Sequence, residues 1–278
     1  MIPPIARRFV AGESAATAME HARQLNDDDV GAILNLLGEH YHDSAPANED
    51  TETYCSLLAE LGSTDLDACI SVKPSQLGLD VGDGRFRENL ERIVEAAAEH
   101  QQFVWLDMED HTTTDATLDA FEAQVQTYPA IGLCLQANLK RTPADIERLA
   151  GLPGKVRLVK GAYEEPPSVA YTNKARVDEA YRDDLALAFR EFDAGIAVGS
   201  HDPAMISLAA DLHEKHGTPY EVQMLMGVRE DAQRELAADG VPVYQYAPYG
   251  DRWLRYFYRR VMERKENALF ALRAIVNG

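Results

Sequence analysis

Cysteine, lysine and long apolar runs are scarce in this sequence of 278 residues. The three cysteines, Cys55, Cys69 and Cys134, form no Cys-x-x-Cys pair, which is typical of buried thiols in a reducing compartment. No stretch approaches the roughly 20 consecutive apolar residues that a transmembrane helix requires. The N-terminal segment around Arg7 and Arg8 does not have the pattern of a secretory or twin-arginine signal. We therefore expect a cytoplasmic protein without an integral membrane segment.

Basic residues are also fewer than acidic residues. The sequence has 27 Lys and Arg against 46 Asp and Glu, for a formal net charge of −19. Phosphate contacts need a basic face, so this balance argues against nucleic acid as a partner. It also argues against a simple electrostatic grip on anionic lipid. An acidic balance with few lysines is expected of a protein adapted to high salt, although an ordinary acidic enzyme is the alternative interpretation.

No Gly-x-Gly-x-x-Gly fingerprint follows any predicted strand, so nothing indicates a Rossmann dinucleotide-binding domain. Instead, short runs rich in Val, Ile and Leu alternate with longer stretches of helical period. The eight predicted strands cover residues 30–39, 67–74, 103–109, 131–137, 155–161, 194–201, 220–227 and 241–248. This alternation predicts an α/β fold, a (βα)8 TIM barrel, with a doubly wound open sheet as the rival.

Two predicted helices have particular features. A helix at 14–25 precedes the first strand and should flank the barrel. The helix at 142–149 should take Thr142 as its N-cap and Pro143 as its first residue. Since no low-complexity linker interrupts the chain, we expect one domain over residues 1–278.

Polar side chains gather at the ends of six of the eight predicted strands. They are Lys73; Asp107 with Met108, Glu109 and Asp110; Gln136 and Asn138; Arg157 and Lys160 with Tyr163; Ser200, His201 and Asp202; and Tyr246. Each alone could be a solvated loop residue or half of a salt bridge. Because barrel enzymes carry their chemistry at the carboxyl ends of the strands, the set together predicts a functional site there.

Two histidine motifs leave alternatives open. His40 and His42 could ligate a metal, although a histidine-bearing loop is the commoner interpretation, and we predict no metal site. His201 could be a general base, a donor to a cofactor or a packed side chain.

Near the C-terminus, Tyr256, Arg259, Arg260 and Glu263 fall on one face of a helix. Two planar guanidinium groups can bind one carboxylate, and an aromatic ring one turn away can pack on an apolar ring attached to it. Glu263 would then hold an arginine in place. A solvated surface helix is the alternative.

Several motifs resemble one known family, the flavin-dependent proline dehydrogenases. They occur in the family's order along nearly the whole chain and read SVKPSQLGL, LDMED, LQANLKRT, VRLVKGAYEE, GSHDP, EVQMLMG and YAPYGDRWLRYFYRRVMERKENA. The resemblance implies a distorted (βα)8 barrel that carries FAD, with the C-terminal helix over the barrel mouth. Glu164 departs from the family pattern, which often has tryptophan there, and the segment around Thr172 matches only loosely.

The resemblance also implies three sets of site residues. The catalytic residues are Asp107, which braces the site, and Arg157, which approaches flavin N5. The substrate-binding residues are Lys73, Arg259 and Arg260 for the carboxylate, Leu225, Tyr246 and Tyr256 around the ring, and Ala162 and Tyr163 beside it. The cofactor-binding residues are Met108, Gln136, Arg157, Val159, Lys160, Gly161, Ala162, Thr172, Ser200, His201 and Glu263.

The implied reaction is oxidation of L-proline to 1-pyrroline-5-carboxylate, with hydride transfer from proline C5 to FAD N5 and electrons passed to a quinone. This is the first step of proline degradation to glutamate. Quinone use implies a peripheral location at the inner face of the membrane, and a separate pyrroline-5-carboxylate dehydrogenase would take the product. Two rivals are a cofactor-free lyase or aldolase with Lys73 or Lys160 as Schiff-base nucleophile, and a proline-sensing barrel without turnover.

Overall fold

The computed structural model describes residues 6–254 and 256–258. In this part of the chain eight parallel strands form a closed barrel in sequence order, and the last strand pairs with the first. The strands are β1 (Gly31–Leu36), β2 (Ala68–Val72), β3 (Val104–Leu106), β4 (Ile131–Gln136), β5 (Lys155–Val159), β6 (Ile196–Gly199), β7 (Tyr220–Leu225) and β8 (Val243–Tyr249). The predicted barrel is confirmed, and the open sheet is wrong.

Helices alternate with the strands along the chain. They are α1 (Ala15–Asn26), α2 (Ser44–Gly62), α3 (Asp83–His100), α4 (Thr114–Val125), α5 (Thr142–Leu149), α6 (Lys174–Glu191), α7 (Pro203–His216) and α8 (Glu230–Ala238). Helix α1 packs against β1 and β8, so the predicted flanking helix is confirmed. Its N-cap is Ser14, whose hydroxyl accepts a hydrogen bond from the Thr17 backbone N–H.

The predicted N-cap of α5 is wrong by one residue. The helix begins at Thr142 itself, and Arg141 is the N-cap. The Thr142 hydroxyl instead donates to the backbone oxygen of Gln136 at 2.5 Å, which ties the start of α5 to the end of β4.

The barrel interior changes character along its axis. A small apolar cluster of inward-facing residues fills its middle, formed by Ile33, Cys69, Trp105 and Ala197. Since side chains alternate between the two faces of a strand, the next inward positions toward the carboxyl ends lie two residues on. Three of these positions hold Asn35, Ser71 and Asp107. A polar layer, formed by Asn35, Ser71 and Asp107, therefore lies directly on the carboxyl-end side of this apolar cluster, which we call the apolar floor.

Of the helices that the structure describes, none combines the length and apolar character needed to cross a bilayer. Residues 253–254 and 256–258, which follow β8, are helical. Tyr256 is buried there in a cluster with Phe9, Val10 and Leu37. The predicted helix over the mouth extends outside the described residues.

Candidate active site

A cavity of about 420 Å³ opens at the carboxyl ends of the strands. It brings together most of the predicted site residues that the structure describes. Those lining it are Lys73, Asp107, Met108, Gln136, Arg157, Val159, Lys160, Gly161, Ala162, Tyr163, His201, Leu225, Tyr246 and Tyr256. Residues from seven different strands or the loops that follow them thus meet at one mouth, as the barrel topology requires.

Five predicted site residues are not among those that line the cavity. Thr172 is exposed in the loop before α6, and Ser200 is buried with its hydroxyl accepting from the Asp202 backbone N–H at 3.2 Å. Arg259, Arg260 and Glu263 lie outside the described residues. The roles assigned to all five stay predictions.

A buried ion pair between Arg157 and Asp107 occupies the centre of the polar layer. Asp107 also accepts from the Ser71 hydroxyl at Oδ1 and from the Tyr246 hydroxyl at Oδ2, both at 2.7 Å. Burial is the largest influence on the pKa of Arg157 and lowers it, but Asp107 together with the smaller contributions of Cys134 and Tyr246 outweighs burial and raises that pKa. Burial, reinforced by Asp107, raises the pKa of Tyr246, so its proton stays on the phenol and is donated to the carboxylate. All four groups are held in one hydrogen-bonded unit.

The guanidinium of Arg157 is also packed against aromatic rings. Its Cζ lies 5.0 Å from the ring centroid of Trp105 and 5.8 Å from that of Tyr246. Cation–π contacts of this kind strengthen when water is excluded, and Arg157 is only 4% exposed. The apolar floor therefore helps to hold a cation below the cavity.

Lys73 is a second buried cation, 8% exposed, and it lines the cavity. Its Nζ donates to Asn35 Oδ1 at 3.2 Å, while Asn35 Nδ2 donates to the Ser71 backbone oxygen at 2.8 Å. Among the described residues, no carboxylate forms an ion pair with Lys73. A buried ammonium group with a neutral neighbour is suited to an anionic ligand.

Asn35 is a site residue that the sequence analysis missed. It fixes the position of Lys73, and it is itself 1% exposed at an inward position of β1. The signal was an asparagine inside an otherwise apolar strand, since a buried amide needs partners within the protein.

Glu109 holds the loop that follows Lys73. Its carboxylate accepts from the backbone N–H and the hydroxyl of Ser75, each at 2.7 Å. Burial raises the pKa of Glu109, and the two bonds from Ser75 oppose this shift. Its backbone oxygen accepts from Gln136 Nε2 at 2.7 Å, which fixes the amide of a cavity-lining residue.

Lys160, which also lines the cavity, is paired with two carboxylates. Its Nζ donates to Asp178 Oδ1 at 2.5 Å and to Asp202 Oδ2 at 2.9 Å. Burial acts to lower the pKa of Lys160, but the two carboxylates raise it overall. A Schiff-base nucleophile must be neutral, so this environment argues against Lys160 in that role.

Gly161 presents bare backbone to the cavity. Its φ is +111°, and a Cβ there would come within 2.1 Å of Asn138 Oδ1. No other residue fits this position without displacing Asn138. Because Gly161 also lines the cavity, a ligand there can contact the main chain directly.

His201 accepts a hydrogen bond at Nε2 from the Leu225 backbone N–H, at 3.3 Å. An accepting Nε2 belongs to a neutral ring whose proton is on Nδ1. This geometry favours a packed or donating histidine over a general base acting through Nε2.

The histidines of the loop after β1 have a simpler environment. His40 Nδ1 lies 3.0 Å from Asp80 Oδ2. The described residues contain no group of three or more His, Cys, Asp or Glu side chains able to hold a metal ion.

A closed parallel barrel with buried cations and a braced carboxylate around a cavity at its carboxyl end defines a (βα)8 barrel of the enzyme type. Comparison with known proteins refines this class. The sequence profile of the family described as Proline dehydrogenase matches residues 18–273. The chain belongs to the proline dehydrogenase family.

Individual relatives agree with this assignment. The chain is 37% identical to Proline dehydrogenase of Deinococcus radiodurans, over 99% of this chain and 91% of that protein. It is 34% identical to Proline dehydrogenase 2 of Bacillus subtilis, over 97% of this chain and 90% of that protein.

A longer protein shares the fold. The crystal structure of proline utilization A (PutA) from Bdellovibrio bacteriovorus, inactivated by N-propargylglycine, superimposes with a TM-score of 0.86 at 24% identity. The match covers 93% of this chain and 32% of that one, so the barrel corresponds to about a third of the longer chain.

Proposed function

We propose that this protein oxidises L-proline to 1-pyrroline-5-carboxylate and that FAD is its bound cofactor. The observation that carries the proposal is Lys73, a buried ammonium group that lines the cavity with a neutral amide as its described partner. The carboxylate of an amino acid is an anion that Lys73 can bind. Family membership supplies the substrate and the reaction class.

The residues around the cavity suit a flavin. Gly161 offers bare backbone, and Gln136, Lys160 and His201 supply side-chain donors for carbonyl and phosphate oxygens. Met108, Val159 and Ala162 add apolar walls. When bound, FAD supplies the hydride acceptor, at N5 of the flavin.

The protein's own groups bind and orient the substrate. Lys73 holds the proline carboxylate, and by sequence Arg259 and Arg260 join it. Leu225, Tyr246 and Tyr256, all lining the cavity, enclose the ring and exclude water. These contacts fix proline C5 in a reactive orientation, and such positioning can lower the activation free energy by up to about 7–11 kcal/mol in ideal cases.

Asp107 acts as a brace and not as a base. Its Oδ1 accepts from Ser71 and Arg157, and its Oδ2 accepts from Tyr246. A carboxylate with both oxygens occupied by donors has little capacity to take a proton from the substrate amine. Its role is to hold Tyr246 and Arg157 in place beside the cavity.

The further partners are proposed from the family resemblance. A quinone takes the electrons, which requires the protein to visit a membrane surface, and a separate pyrroline-5-carboxylate dehydrogenase takes the product. For the C-terminal arginines, Arg260→Met should raise the proline KM far more than it lowers FAD occupancy. Equal losses of both would give Arg260 a cofactor or folding role.

An anaerobic titration tests the function directly. Purified protein with FAD should bleach in the visible flavin band when L-proline is added, and the product should be lighter by two hydrogens in mass spectrometry. Flavin that stays oxidised would favour the proline-sensing alternative. A protein that binds no flavin would favour a lyase or aldolase, with Lys73 as the nucleophile.

A further inference from the structure

From Arg157 toward the amino end, the barrel interior contains a row of hydrogen-bonded side chains that the proposed mechanism does not use, and its first member, Gln223, also lines the cavity. Arg157 Nη1 donates to Gln223 Oε1 at 3.1 Å, and Gln223 Nε2 donates to Glu221 Oε1 at 2.7 Å. The other oxygen of Glu221 accepts from Lys155 Nζ at 2.7 Å. The row runs from the cavity toward the amino end of the barrel.

The two ends of this row determine which way the amide of Gln223 points. A carboxylate can only accept hydrogen bonds, and a guanidinium can only donate them. The NH₂ group of Gln223 must therefore face Glu221, and its oxygen must face Arg157. The flipped amide would set two donors against each other at Arg157 and two acceptors against each other at Glu221.

Charges alternate along the same row. Asp107 and Glu221 are negative, while Arg157 and Lys155 are positive, so the four charges sum to zero. Lys155 Nζ also lies 5.5 Å from the ring centroid of Phe103, which limits its movement. Glu221 is thus anchored from below before it meets Gln223.

Burying these polar groups inside a barrel costs desolvation free energy. Gln223 and Glu221 are 5% and 7% exposed at alternate inward positions of β7, where most barrels carry branched apolar residues. Replacing a buried ion pair by apolar residues is often neutral or stabilising. Stability alone therefore does not account for this row.

What the row does is hold the guanidinium of Arg157 from the side opposite Asp107. Asp107 contacts Nη2, and Gln223 contacts Nη1. The ion pair with Asp107 and the rings of Trp105 and Tyr246 already hold the guanidinium, and the bond from Nη1 to Gln223 adds a directional contact that restricts its rotation. Arg157 lines the cavity, so its plane decides where its charge meets a bound ring system.

We propose that Gln223 is a positioning residue for Arg157 and that Glu221, anchored by Lys155, sets the orientation of Gln223. The functional consequence rests on the proposed proline oxidation. The geometric part of the proposal, that Gln223 fixes the position of the Arg157 guanidinium, can be tested without measuring turnover.

The principal variant is Gln223→Leu in the FAD-loaded protein. We expect kcat for proline to fall by about 10- to 100-fold, because small displacements of a positioned group have effects of this order. The proline KM should change far less, since Lys73 binds the carboxylate. The reduction potential of the bound flavin should become more negative as a cation moves out of place.

The chain offers a matched control in Gln245→Leu. Gln245 is 2% exposed on the adjacent strand β8, and it too bridges two partners, His21 and Gln233, both at 2.8 Å. It is not bonded to Arg157. The two variants should lose similar stability, but Gln245→Leu should keep the wild-type kcat and flavin potential.

A milder pair of variants covers the case in which Gln223→Leu fails to fold. Glu221→Gln removes the charge that fixes the amide, and Asp67→Asn makes the same chemical change in a carboxylate that accepts from Tyr244 at the same end of the barrel. We expect Glu221→Gln to lower kcat by a few-fold and Asp67→Asn to leave it unchanged.

Crystal structures separate this proposal from the proposed function. A guanidinium of Arg157 that keeps its wild-type position in Gln223→Leu would overturn the proposal whether or not the enzyme oxidises proline. Equal kcat values for Gln223→Leu and Gln245→Leu would overturn it as well. Failure of the wild-type protein to reduce its flavin with proline would reject the proposed function, and the Arg157 position would still decide the geometry.

Discussion

Buried carboxylates have different partners on the axis of the barrel and in the layer of helices around it. Inside the barrel, Asp107 pairs with Arg157 and Glu221 pairs with Lys155. In the helical layer, Asp184 on α6 and Asp50 on α2 are buried, and no ion pair to either occurs among the described residues. Burial raises the pKa of Asp184 to about 7 and that of Asp50 to about 6.

The difference indicates what each region is for. On the axis each carboxylate is paired with a cation, and the Arg157–Asp107 pair lines the cavity. Charge in the helical layer is disfavoured by burial, and no cation among the described residues pairs with it. Changes on the axis should therefore alter activity, and changes in the helical layer should alter stability and its pH dependence.

The largest effect is expected for Arg157→Met. Breaking a buried pair leaves Asp107 without its cation, which should destabilise the fold by about 3–5 kcal/mol. Because misplacing a group beside the reacting atoms lowers rates by about 10²-fold, kcat/KM for proline should fall by at least about 10²-fold. Steady-state kinetics normalised to bound FAD measures this. The control is Arg148→Met on α5, which breaks partly exposed ion pairs with Asp119 and Glu122 and should leave kcat/KM intact. Comparable losses in both variants would erase the distinction between the two regions.

Lys73→Met should have the next largest effect. A charge-assisted hydrogen bond to the substrate carboxylate contributes about 1.5–3 kcal/mol, so the proline KM should rise by about 10- to 100-fold while FAD occupancy is unchanged. Lys174→Met, at a lysine whose side chain is 74% exposed on α6, should change neither value. An unchanged KM in Lys73→Met would remove the main support for the proposed substrate.

Asp184→Asn should stabilise the protein at alkaline pH without altering kinetics. The Oδ2 atom of Asp184 has no hydrogen-bond partner among the described residues. Its raised pKa means that the folded state holds a proton that the unfolded state releases, so wild-type stability falls as pH rises from about 4 to about 7. The variant should gain on the order of 1–3 kcal/mol at pH 8 and almost nothing near pH 4. Urea unfolding at the two pH values measures this, and an equal gain at both would show that charge is not the cause.

Asp50→Asn should show the smallest effect, because Asp50 has partners. Its Oδ2 accepts from the Tyr41 hydroxyl at 2.6 Å and from Gln76 Nε2 at 2.7 Å. Burial still raises its pKa, so wild-type stability should fall as pH rises from about 4 to about 6. The variant should gain less than about 1 kcal/mol above pH 7, since its new NH₂ group needs an acceptor. A gain larger than that of Asp184→Asn would mean that hydrogen bonds do not relieve the buried charge.

The barrel was predictable because its strands are continuous apolar runs. Seven of the eight predicted ranges contain the observed strand, and the eighth strand extends one residue further, to Tyr249. The site was predictable to the extent that it lies at strand ends. Lys73 and Asp107 directly follow β2 and β3, and the topology gathers them without further information, whereas Arg157 lies in the middle of β5.

Residues within the strands were harder to find. Ser71, Gln223 and Glu221 matter because of which face they lie on and which partner the register places opposite them. A register is a long-range property that one strand does not encode by itself. The Thr142 cap failed for a similar reason, since its hydroxyl bonds to a strand residue that precedes the helix.

Other parts of the site depend on contacts distant in the chain. Lys160 is held by Asp178 on α6 and by Asp202 before α7, and no local pattern indicates that pairing. The roles of Arg259, Arg260 and Glu263 remain predictions from the sequence.

The apolar cluster of Ile33, Cys69, Trp105 and Ala197 fills the barrel interior on the amino-end side of the polar layer. For the reaction proposed here, we expect proline and the quinone both to reach the site from the carboxyl-end mouth and to occupy it alternately. Alternate occupation is expected to give ping-pong kinetics. Double-reciprocal plots of the initial rate against proline concentration, measured at several quinone concentrations, should then be parallel lines.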